Sequence, residues 1–448
     1  MSPLNLLLNK QKNSQLFALA VPMILSNITV PLLGLVDTAV VGHLSNAYYL
    51  GGVAVGSTVI TLILWILGFL RMSTTGLVAQ AFGAKEMQTQ YRLLIQSTSL
   101  ALLLALLVLL LQQPIIDTAM ALSDASEQVQ YYSQAYFNIR IWSTPFALVN
   151  LALLGWLLGR QQPKAAMWQL IAANIINILL DLLFVMGLGW GVEGAALASV
   201  LADMTGFAVA ASMVLRTIKQ EGDFAFLPLC RSLSLNCYQR LVRLNLDIFV
   251  RSLCLQLAFA FMTFQGANLG DNTVAANAVL LNLLLLISYA LDGIAYYAEA
   301  EVGRAVGEHN GMRLIQSVTL AGLWSAIFAL LFTLFFALWG EQIIHLLTNI
   351  PKVRQEAQAY LAWVIALPLL AFGSYLFDGV YIGAAQGKAM RNTMILATFG
   401  VFFPTWALLQ DYGNHALWAA MSLFMLTRSL SLALDYHYRL SKALTKTG

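Results

Sequence analysis

Long apolar runs constrain the fold of this chain more than any motif does. Twelve of them are long enough to cross a bilayer, which takes about 20 mainly apolar residues. Lipid offers the backbone no hydrogen-bond partners, and the runs lack the alternation of barrel strands, so they must be helices. The charged fraction is 10%, against about 25% in soluble domains, and the mean hydropathy is +0.74. The predicted spans are 16–41, 50–82, 92–113, 131–159, 165–188, 192–216, 243–267, 273–305, 314–339, 357–386, 390–410 and 414–438.

Loop charge predicts the orientation of these spans. Alternate loops carry eighteen Lys and Arg residues, whereas the remaining loops carry only Lys352 and Arg354. The positive-inside rule therefore places both termini in the cytoplasm. No A-x-A-like cleavage site follows the first apolar run, so we interpret that run as a span and not as a signal peptide. The net charge of +3 provides no basic patch for nucleic acid.

The two halves of the chain repeat. "GWLLGRQQPKA" (155–165) matches "GVYIGAAQGKA" (379–389) at an offset of 224 residues, and "LIQSTSL" (94–100) matches "LIQSVTL" (314–320) at an offset of 220. Each repeat holds six spans, so both start on the same side of the membrane. Parallel repeats of this kind, related by an axis along the membrane normal, are typical of transporters.

We therefore predict an all-α integral membrane fold. Twelve transmembrane helices form two six-helix lobes, related by a pseudo-two-fold axis along the membrane normal, with a central cavity between them. The predicted divisions are an N-terminal lobe (1–216), a cytoplasmic linker (217–242) and a C-terminal lobe (243–448).

Ionisable residues within spans point to function, because each costs about 2.5–3.5 kcal/mol on insertion scales. Asp37 stands alone in span 1. Span 5 carries three polar residues at i, i+3 and i+7, which lie on one helical face. At about 1.5 Å per residue, Asp37 and Asp181 fall in the outer half of the bilayer, together with Tyr136 of span 4 and Ser199 of span 6. The predicted coupling cluster is Asp37, Tyr136, Asn174, Asn177, Asp181 and Ser199.

The chemistry of such a cluster is proton exchange. Two carboxylates in a low-dielectric pocket resist double ionisation, so one would take up and release a proton near neutral pH. Amide and phenol groups can hydrogen-bond either state. Pro22, Pro31 and Gly34 would let span 1 bend. The alternative is that Asp37 and Asp181 serve only as polar contacts between helices.

The second lobe has a different polar set. Asp292, Tyr296 and Glu299 lie at i, i+4 and i+7 in span 8, and Asp378 lies in the middle of span 10. They are candidate contacts for a cationic substrate or an ion, or they stabilise the lobe.

Four arginines also lie within spans. Spacing predicts that Arg251 pairs with the aspartate at i−4, Asp247, and that Arg428 has only a loose partner in Asp435. Arg140 is a candidate counterion for Asp181, which would work against proton exchange there.

The sequence lacks the patterns of several enzyme classes. It contains no G-x-x-x-x-G-K-[ST], H-E-x-x-H or G-x-S-x-G motif. All five histidines lie in loops or at span ends, which argues against a haem or metal site. We therefore predict no catalytic residues, no metal and no cofactor. Three cysteines provide no disulfide framework.

Three stretches resemble the multidrug and toxic compound extrusion (MATE) family, in its prokaryotic DinF-type branch. They are "VPMILSNITVPLLGLVDTAVVGHL" (21–44), "FLRMSTTGLVAQAFGAK" (69–85) and "NHALWAAMSLFMLTRSLSL" (414–432). The resemblance implies cation-coupled export of amphipathic, often cationic compounds by alternating access, without enzymatic activity.

The resemblance also implies site residues. A first-lobe coupling site would use Asp37 and the Asn-x-x-x-Asp of span 5, Asn177 and Asp181, with Tyr136 and Ser199 nearby and Pro22 bending on protonation; threonine is the residue expected at 199. The NorM-type branch uses acids in spans 7 and 10, and span 7 here has glutamines instead.

The function predicted is a multidrug efflux antiporter of a bacterial inner membrane, coupled to protons or, as the alternative, to Na⁺. We expect a monomer in the lipid bilayer that exports amphipathic or cationic small molecules and does not bind nucleic acid. One rival is a lipid-linked precursor flippase, which would need basic residues gathered around a pyrophosphate. Another is an intramembrane enzyme, which would need a paired nucleophile and base. The arginines available to a flippase are Arg71, Arg140, Arg251 and Arg428.

Overall fold

The structure is a computed structural model, and it describes residues 3–42, 47–121, 126–222 and 235–440. Side chains are described in the same ranges, except at 3–4, 30–39, 41–42, 47 and 235–237.

Helices make up almost all of the described chain, and it contains no strand. The α-helices are α1 (Pro3–Leu8), α2 (Lys10–Gly42), α3 (Ala47–Ile66), α4 (Phe69–Gly83), α5 (Met87–Leu110), α6 (Gln112–Ala121), α7 (Glu127–Arg140), α8 (Thr144–Gly159), α9 (Pro163–Asp181), α10 (Gly191–Glu221), α11 (Leu235–Leu269), α12 (Asp271–Gly307), α13 (Gly311–Leu347), α14 (Pro351–Gly383), α15 (Gly387–Ile395), α16 (Phe403–Leu409) and α17 (Asn414–Asp435). Tighter or wider turns join or extend them at Ile141–Ser143, Leu182–Gly187, Leu396–Phe402, Gln410–Tyr412 and Tyr436–Leu440.

Eleven helical stretches of the described residues are long and apolar enough to cross a membrane. Helix α2, with 33 residues, precedes them and covers the first predicted span. Several spans combine two helices: α3 continues into α4, and α7 continues into α8 through a short 3₁₀ turn. The prediction of an all-α membrane protein is confirmed.

The chain folds into two compact units. One contains residues 1–24, 79–85 and 242–448, and the other contains 25–78 and 86–241. The boundary therefore passes through α2, two residues after Pro22. In the first unit α14 packs against α12, α13 and α17; in the second, α3 packs on α7, α5 on α8 and α9 on α10. The predicted division into an N-terminal lobe (1–216), a linker (217–242) and a C-terminal lobe (243–448) stays a prediction.

Two pairs of turns show the internal repeat in the backbone. Lys85 and His309 are 224 residues apart, and so are Gln161 and Ala385. All four have φ between 52° and 60°, in the left-handed region that non-glycine residues rarely adopt. Each follows the end of a helix, where its N–H bonds back to a carbonyl of the last turn. The repeat read from the sequence is thus present as a repeated turn geometry.

The matching G-x-x-x-G elements bring helices into close contact. A Cβ added at Gly155 would lie 2.6 Å from the carbonyl oxygen of Arg71 in α4. In the other unit, a Cβ added at Gly379 would lie 2.3 Å from the carbonyl oxygen of Ala295 in α12. Small residues at such crossings let backbones approach, which drives helix association where no water is displaced.

Replacing Gly379 by alanine should therefore push α14 away from α12. We expect Gly379→Ala to destabilise the protein by about 1–3 kcal/mol, the usual cost of overpacking. The measurement is the thermal unfolding midpoint in detergent. Gly322→Ala is the control, because its Cβ would meet only a flexible leucine tip at 3.4 Å. Equal midpoints for the two variants would contradict the packing argument.

Candidate functional site

Helix α9 turns its polar face inward. It begins at Pro163 and ends at Asp181, where a π-helical turn follows. Asn174, Asn177 and Asp181 are all buried, whereas Ile175 and Leu179 are more than half exposed. The apolar side chains of this helix thus lie on its outer surface and the polar ones inside. A helix built in this way must find its polar partners within the protein.

Asn177 provides one of those partners. Its Nδ2 donates to Oδ2 of Asp181 over 3.0 Å, and the two side chains are 3% and 2% exposed. The amide is a neutral donor, so it orients the carboxylate without neutralising its charge.

Asn174 connects α9 to α2. Its Nδ2 donates to Oγ1 of Thr29 over 2.7 Å, and the Thr29 hydroxyl in turn donates to the carbonyl of Ser26 over 2.7 Å. This chain of two hydrogen bonds fixes the contact between the first and fifth spans. Thr29 was missed at the sequence level, although a hydroxyl within a span is a signal of such a role.

A second contact joins the same helices further along. Val40 of α2 is buried in a cluster with Tyr136 of α7 and Val185 of the turn after α9, and residues 192, 195 and 196 of α10 complete it. The contacts at Thr29 and Val40 lie eight residues before and three residues after position 37. Asp37 is within the described helix, but its side chain lies outside the described residues, as do those of Pro31 and Gly34.

The remaining first-lobe residues divide into buried and partly buried. Tyr136 is 5% exposed, and its ring lies against Gly56, where a Cβ would come within 2.9 Å of it. Pro22 is buried within α2, which continues through it. Ser199 is half-buried and makes no side-chain hydrogen bond in the part of the chain that the structure describes.

Arg140 does not serve as the counterion of Asp181. Its guanidinium forms an ion pair with Asp203 of α10 and also contacts Ser143 and Tyr136. The arginine is thus neutralised by a different acid. Asp203 was missed, although it lies in span 6 and meets the criterion that selected Asp181.

Asp378 joins two of the buried arginines in the other unit. Arg251 and Arg428 both bind its Oδ2, the latter over 2.8 Å, and both arginines are less than a tenth exposed. The predicted partner Asp247 pairs instead with Arg391 over 2.7 Å, and Asp435 binds Tyr381 and Arg439. The predicted pairing of Arg251 with Asp247 was wrong, because helices far apart in sequence supply the nearer partner of each, and Arg428 binds Asp378 instead of its loose candidate Asp435.

Asp378, Arg251 and Arg428 form a buried triad that carries a net positive charge. It holds two positive charges against one negative charge, and the Nε of each arginine has no hydrogen-bond partner among the described residues. Tyr375 lies close by, hydrogen-bonded to Ser288 and within electrostatic reach of Asp292. Asp378 is therefore the group on which this buried charge arrangement depends.

The other second-lobe candidates lie on α12. Asp292 and Tyr296 are half-buried, and Glu299 is 2% exposed with its carbonyl oxygen against Gly383. Beyond the end of α12, Glu308 binds Arg304 and Arg313. Burial alone would raise the pKa of Glu308, but hydrogen bonds and charges from these arginines hold it below its usual range.

A buried ion pair at the end of α8 was also missed. Arg160, treated as a loop cation, is 6% exposed and pairs with Glu221, which also accepts from Tyr91 over 2.7 Å. The partners are far apart in sequence, so no local pattern signals them. Among the described residues, no group of three or more His, Cys, Asp or Glu side chains could hold a metal ion.

A family model, known protein sequences and solved structures all match this chain. The model named MatE matches residues 22–183 and 248–406. DNA damage-inducible protein F of Escherichia coli (strain K12) is 47% identical over 418 residues, 93% of this chain and 90% of that protein. A probable multidrug resistance protein NorM of Acinetobacter baylyi is 24% identical over 396 residues, 87% of each chain.

A solved structure agrees with the fold. It is an outward-facing conformation of a multidrug resistance MATE family transporter of the MOP superfamily, with a TM-score of 0.86. Its sequence is 20% identical and the alignment covers 96% of each chain.

Removing the central carboxylate of the triad should be costly. We expect Asp378→Asn to destabilise the protein by about 3–5 kcal/mol, because it leaves two buried arginines without a counter-charge. The thermal unfolding midpoint in detergent measures this, with the exposed Asp411→Asn as control. Adding Arg251→Gln to Asp378→Asn should recover part of the loss. An unfolding midpoint unchanged by Asp378→Asn would show that Asp378 does not stabilise the two buried arginines.

Proposed function

The chain belongs to the MatE family, and from this premise we propose that it is a multidrug efflux antiporter. It would export amphipathic or cationic compounds by alternating access, driven by protons, with Na⁺ as the alternative coupling ion. The family is one of transporters, so no enzymatic activity is proposed. The names of two relatives, which refer to multidrug resistance, support the substrate class.

The observation that carries the coupling proposal is the contact between α2 and α9. Thr29 of α2 and Asn174 of α9 are hydrogen-bonded. As the first and fifth spans, the two helices run in the same direction. Asp37 follows Thr29 by eight residues and Asp181 follows Asn174 by seven, rises of about 12 and 10.5 Å. The register therefore supports the two aspartates lying at similar depth.

The hydrogen bond at Asp181 suggests different roles for the two aspartates. The amide of Asn177 donates to Asp181 and orients its carboxylate. Two neighbouring carboxylates resist double ionisation, so the exchanged proton would fall to Asp37. Because Arg140 is engaged by Asp203, it does not compete for this charge.

Proton binding would act on the shape of α2. Protons entering from the outer side would neutralise Asp37 and change the bend of the helix near Pro22, Pro31 and Gly34. The substrate would then leave outward, and release of the proton toward the cytoplasm would reset the cycle. Pro22 lies two residues before the point at which α2 passes from one compact unit to the other.

The setting we propose is the inner membrane of a bacterium. The many apolar helices make the chain a multi-pass membrane protein, and the charge of its loops supports cytoplasmic termini. We propose a monomer that needs no cofactor. The flippase alternative needs arginines free to bind a pyrophosphate, and Arg251 and Arg428 are already engaged by Asp378.

Neutralising Asp37 should uncouple transport. We expect Asp37→Asn, which resembles the protonated acid permanently, to abolish dye efflux driven by a pH gradient in proteoliposomes. Reconstituted amounts are matched, and Asp117→Asn, an exposed acid of α6 in the same unit, is the control. Full gradient-driven efflux by Asp37→Asn would refute the coupling role.

The coupling ion is tested with the unmodified chain in the same vesicles. We expect an imposed pH gradient to drive dye efflux at constant Na⁺, since a carboxylate–amide pair needs only a proton to change its charge. If a Na⁺ gradient alone drives efflux at equal pH on both sides, the coupling ion is sodium and not the proton.

A further inference from the structure

A cavity with aromatic walls lies where α3 and α7 begin. Its volume is about 230 Å³, and its lining consists of Tyr48, Glu127, Gln128, Tyr131 and Tyr132. Three aromatic rings and one carboxylate around a single space are the elements of a cation-binding cage. We propose that this cavity binds compact alkylammonium cations.

The aromatic walls are held in place by one another. The rings of Tyr48 and Tyr132 stack with centroids 5.5 Å apart and planes at 13°. Tyr49 meets Tyr132 edge-on at 4.7 Å, and Tyr131 does so at 5.2 Å. Since each ring restricts its neighbour, little side-chain freedom remains to be lost when a ligand enters.

Glycine in α3 makes this arrangement possible. A Cβ added at Gly52 would lie only 2.5 Å from the Cβ of Tyr132, so α7 approaches α3 as closely as a glycine allows. The close approach brings the Tyr-Tyr pair of α3 against the Tyr-Tyr pair of α7. Ser133 reinforces the contact by donating to the carbonyl of Gly52 over 3.2 Å.

Negative charge comes from Glu127. It is exposed in the first turn of α7 and directly follows the capping residue Ser126. It forms none of the ion pairs found among the described residues. The surrounding sequence offers no neutralising charge, because residues 93–139 contain no Lys or Arg. The cavity therefore has a negative field at its rim.

These features select the chemical class of the ligand. Aromatic faces attract cations by their quadrupole, most strongly when the cation sheds water easily, as alkylammonium groups do. Anions would be repelled by Glu127, and a neutral ligand of the same shape would gain only apolar contact. Drug-sized ligands occupy pockets of about 300–1,000 Å³, so the volume here favours a smaller cation.

The site goes beyond the proposed transport cycle, because it uses none of the coupling residues. Under the orientation proposed above, the first residues of α3 and α7 lie at the outer face. A cation leaving the transporter would then meet this cage on the external side. Only that placement rests on the proposed function; the binding itself does not.

The test is equilibrium binding of choline to the purified full-length chain in detergent, by isothermal titration calorimetry. Tyr131→Ala and Glu127→Gln should each weaken binding by about 2- to 30-fold, the range of cation–π strengths. Tyr131→Phe keeps the ring and should retain the affinity. Tyr412→Ala is the matched control, because Tyr412 is 68% exposed and Tyr131 is 66% exposed.

Two further comparisons decide the outcome. The neutral isostere dimethylbutanol should bind more weakly than choline, and Asp37→Asn should bind choline as the unmodified chain does. The second result separates this site from the coupling site, so either proposal can fail alone. No detectable choline binding, equal binding of the isostere, or affinity unchanged by both Tyr131→Ala and Glu127→Gln would overturn the cation cage.

Discussion

A carboxylate placed among membrane helices must be neutralised, hydrogen-bonded or protonated, and the acids of this chain are distinguished by which of these they use. Asp378 is bound by two arginines, and Asp203 by one. Glu221 combines an arginine with a tyrosine hydroxyl. Asp181 accepts a hydrogen bond from the amide of Asn177. An acid locked to a permanent cation has little reason to change its charge, whereas one held by a neutral donor can do so at modest cost. This difference supports the proposal that coupling takes place at α9 and its neighbours.

The internal repeat is preserved in backbone geometry more than in chemistry. The left-handed turn residues recur at one offset although their side chains are unrelated, Lys85 with His309 and Gln161 with Ala385. The close helix crossings recur as well, at Gly155 and Gly379. Charged residues do not follow this pattern. The scaffold thus supplies two similar frames, and the buried acids and arginines make the two halves different.

The sequence predicted the fold well because the determining signal is local. A run of about 20 apolar residues is sufficient to identify a span, and every predicted span coincides with helical structure. The polar face of α9 followed from helical periodicity, and the structure buries all three of its residues. Whether Asp37 faces Asp181 stays a prediction, since its side chain lies outside the described residues.

Ion pairs were predicted poorly, for a physical reason. The i−4 spacing favours Arg251 with Asp247, but each finds a better-placed partner on another helix, in Asp378 and Arg391. Such partners are more than a hundred positions away in the chain, so no local pattern records them.

The contacts made by the first residues of α2 have a consequence for the order in which the protein assembles. Its first residues belong to the compact unit built from the later half of the chain: Asn13 accepts a hydrogen bond from Trp324, and Ile24 packs against Gly293. The ribosome makes the N-terminal segment first and its partners some 270 to 310 residues later. During synthesis the opening segment must wait, inserted but without its final neighbours, until α12 and α13 have entered the membrane. Completion of that unit is therefore a late event in biogenesis, even though its first residues are the earliest to be translated.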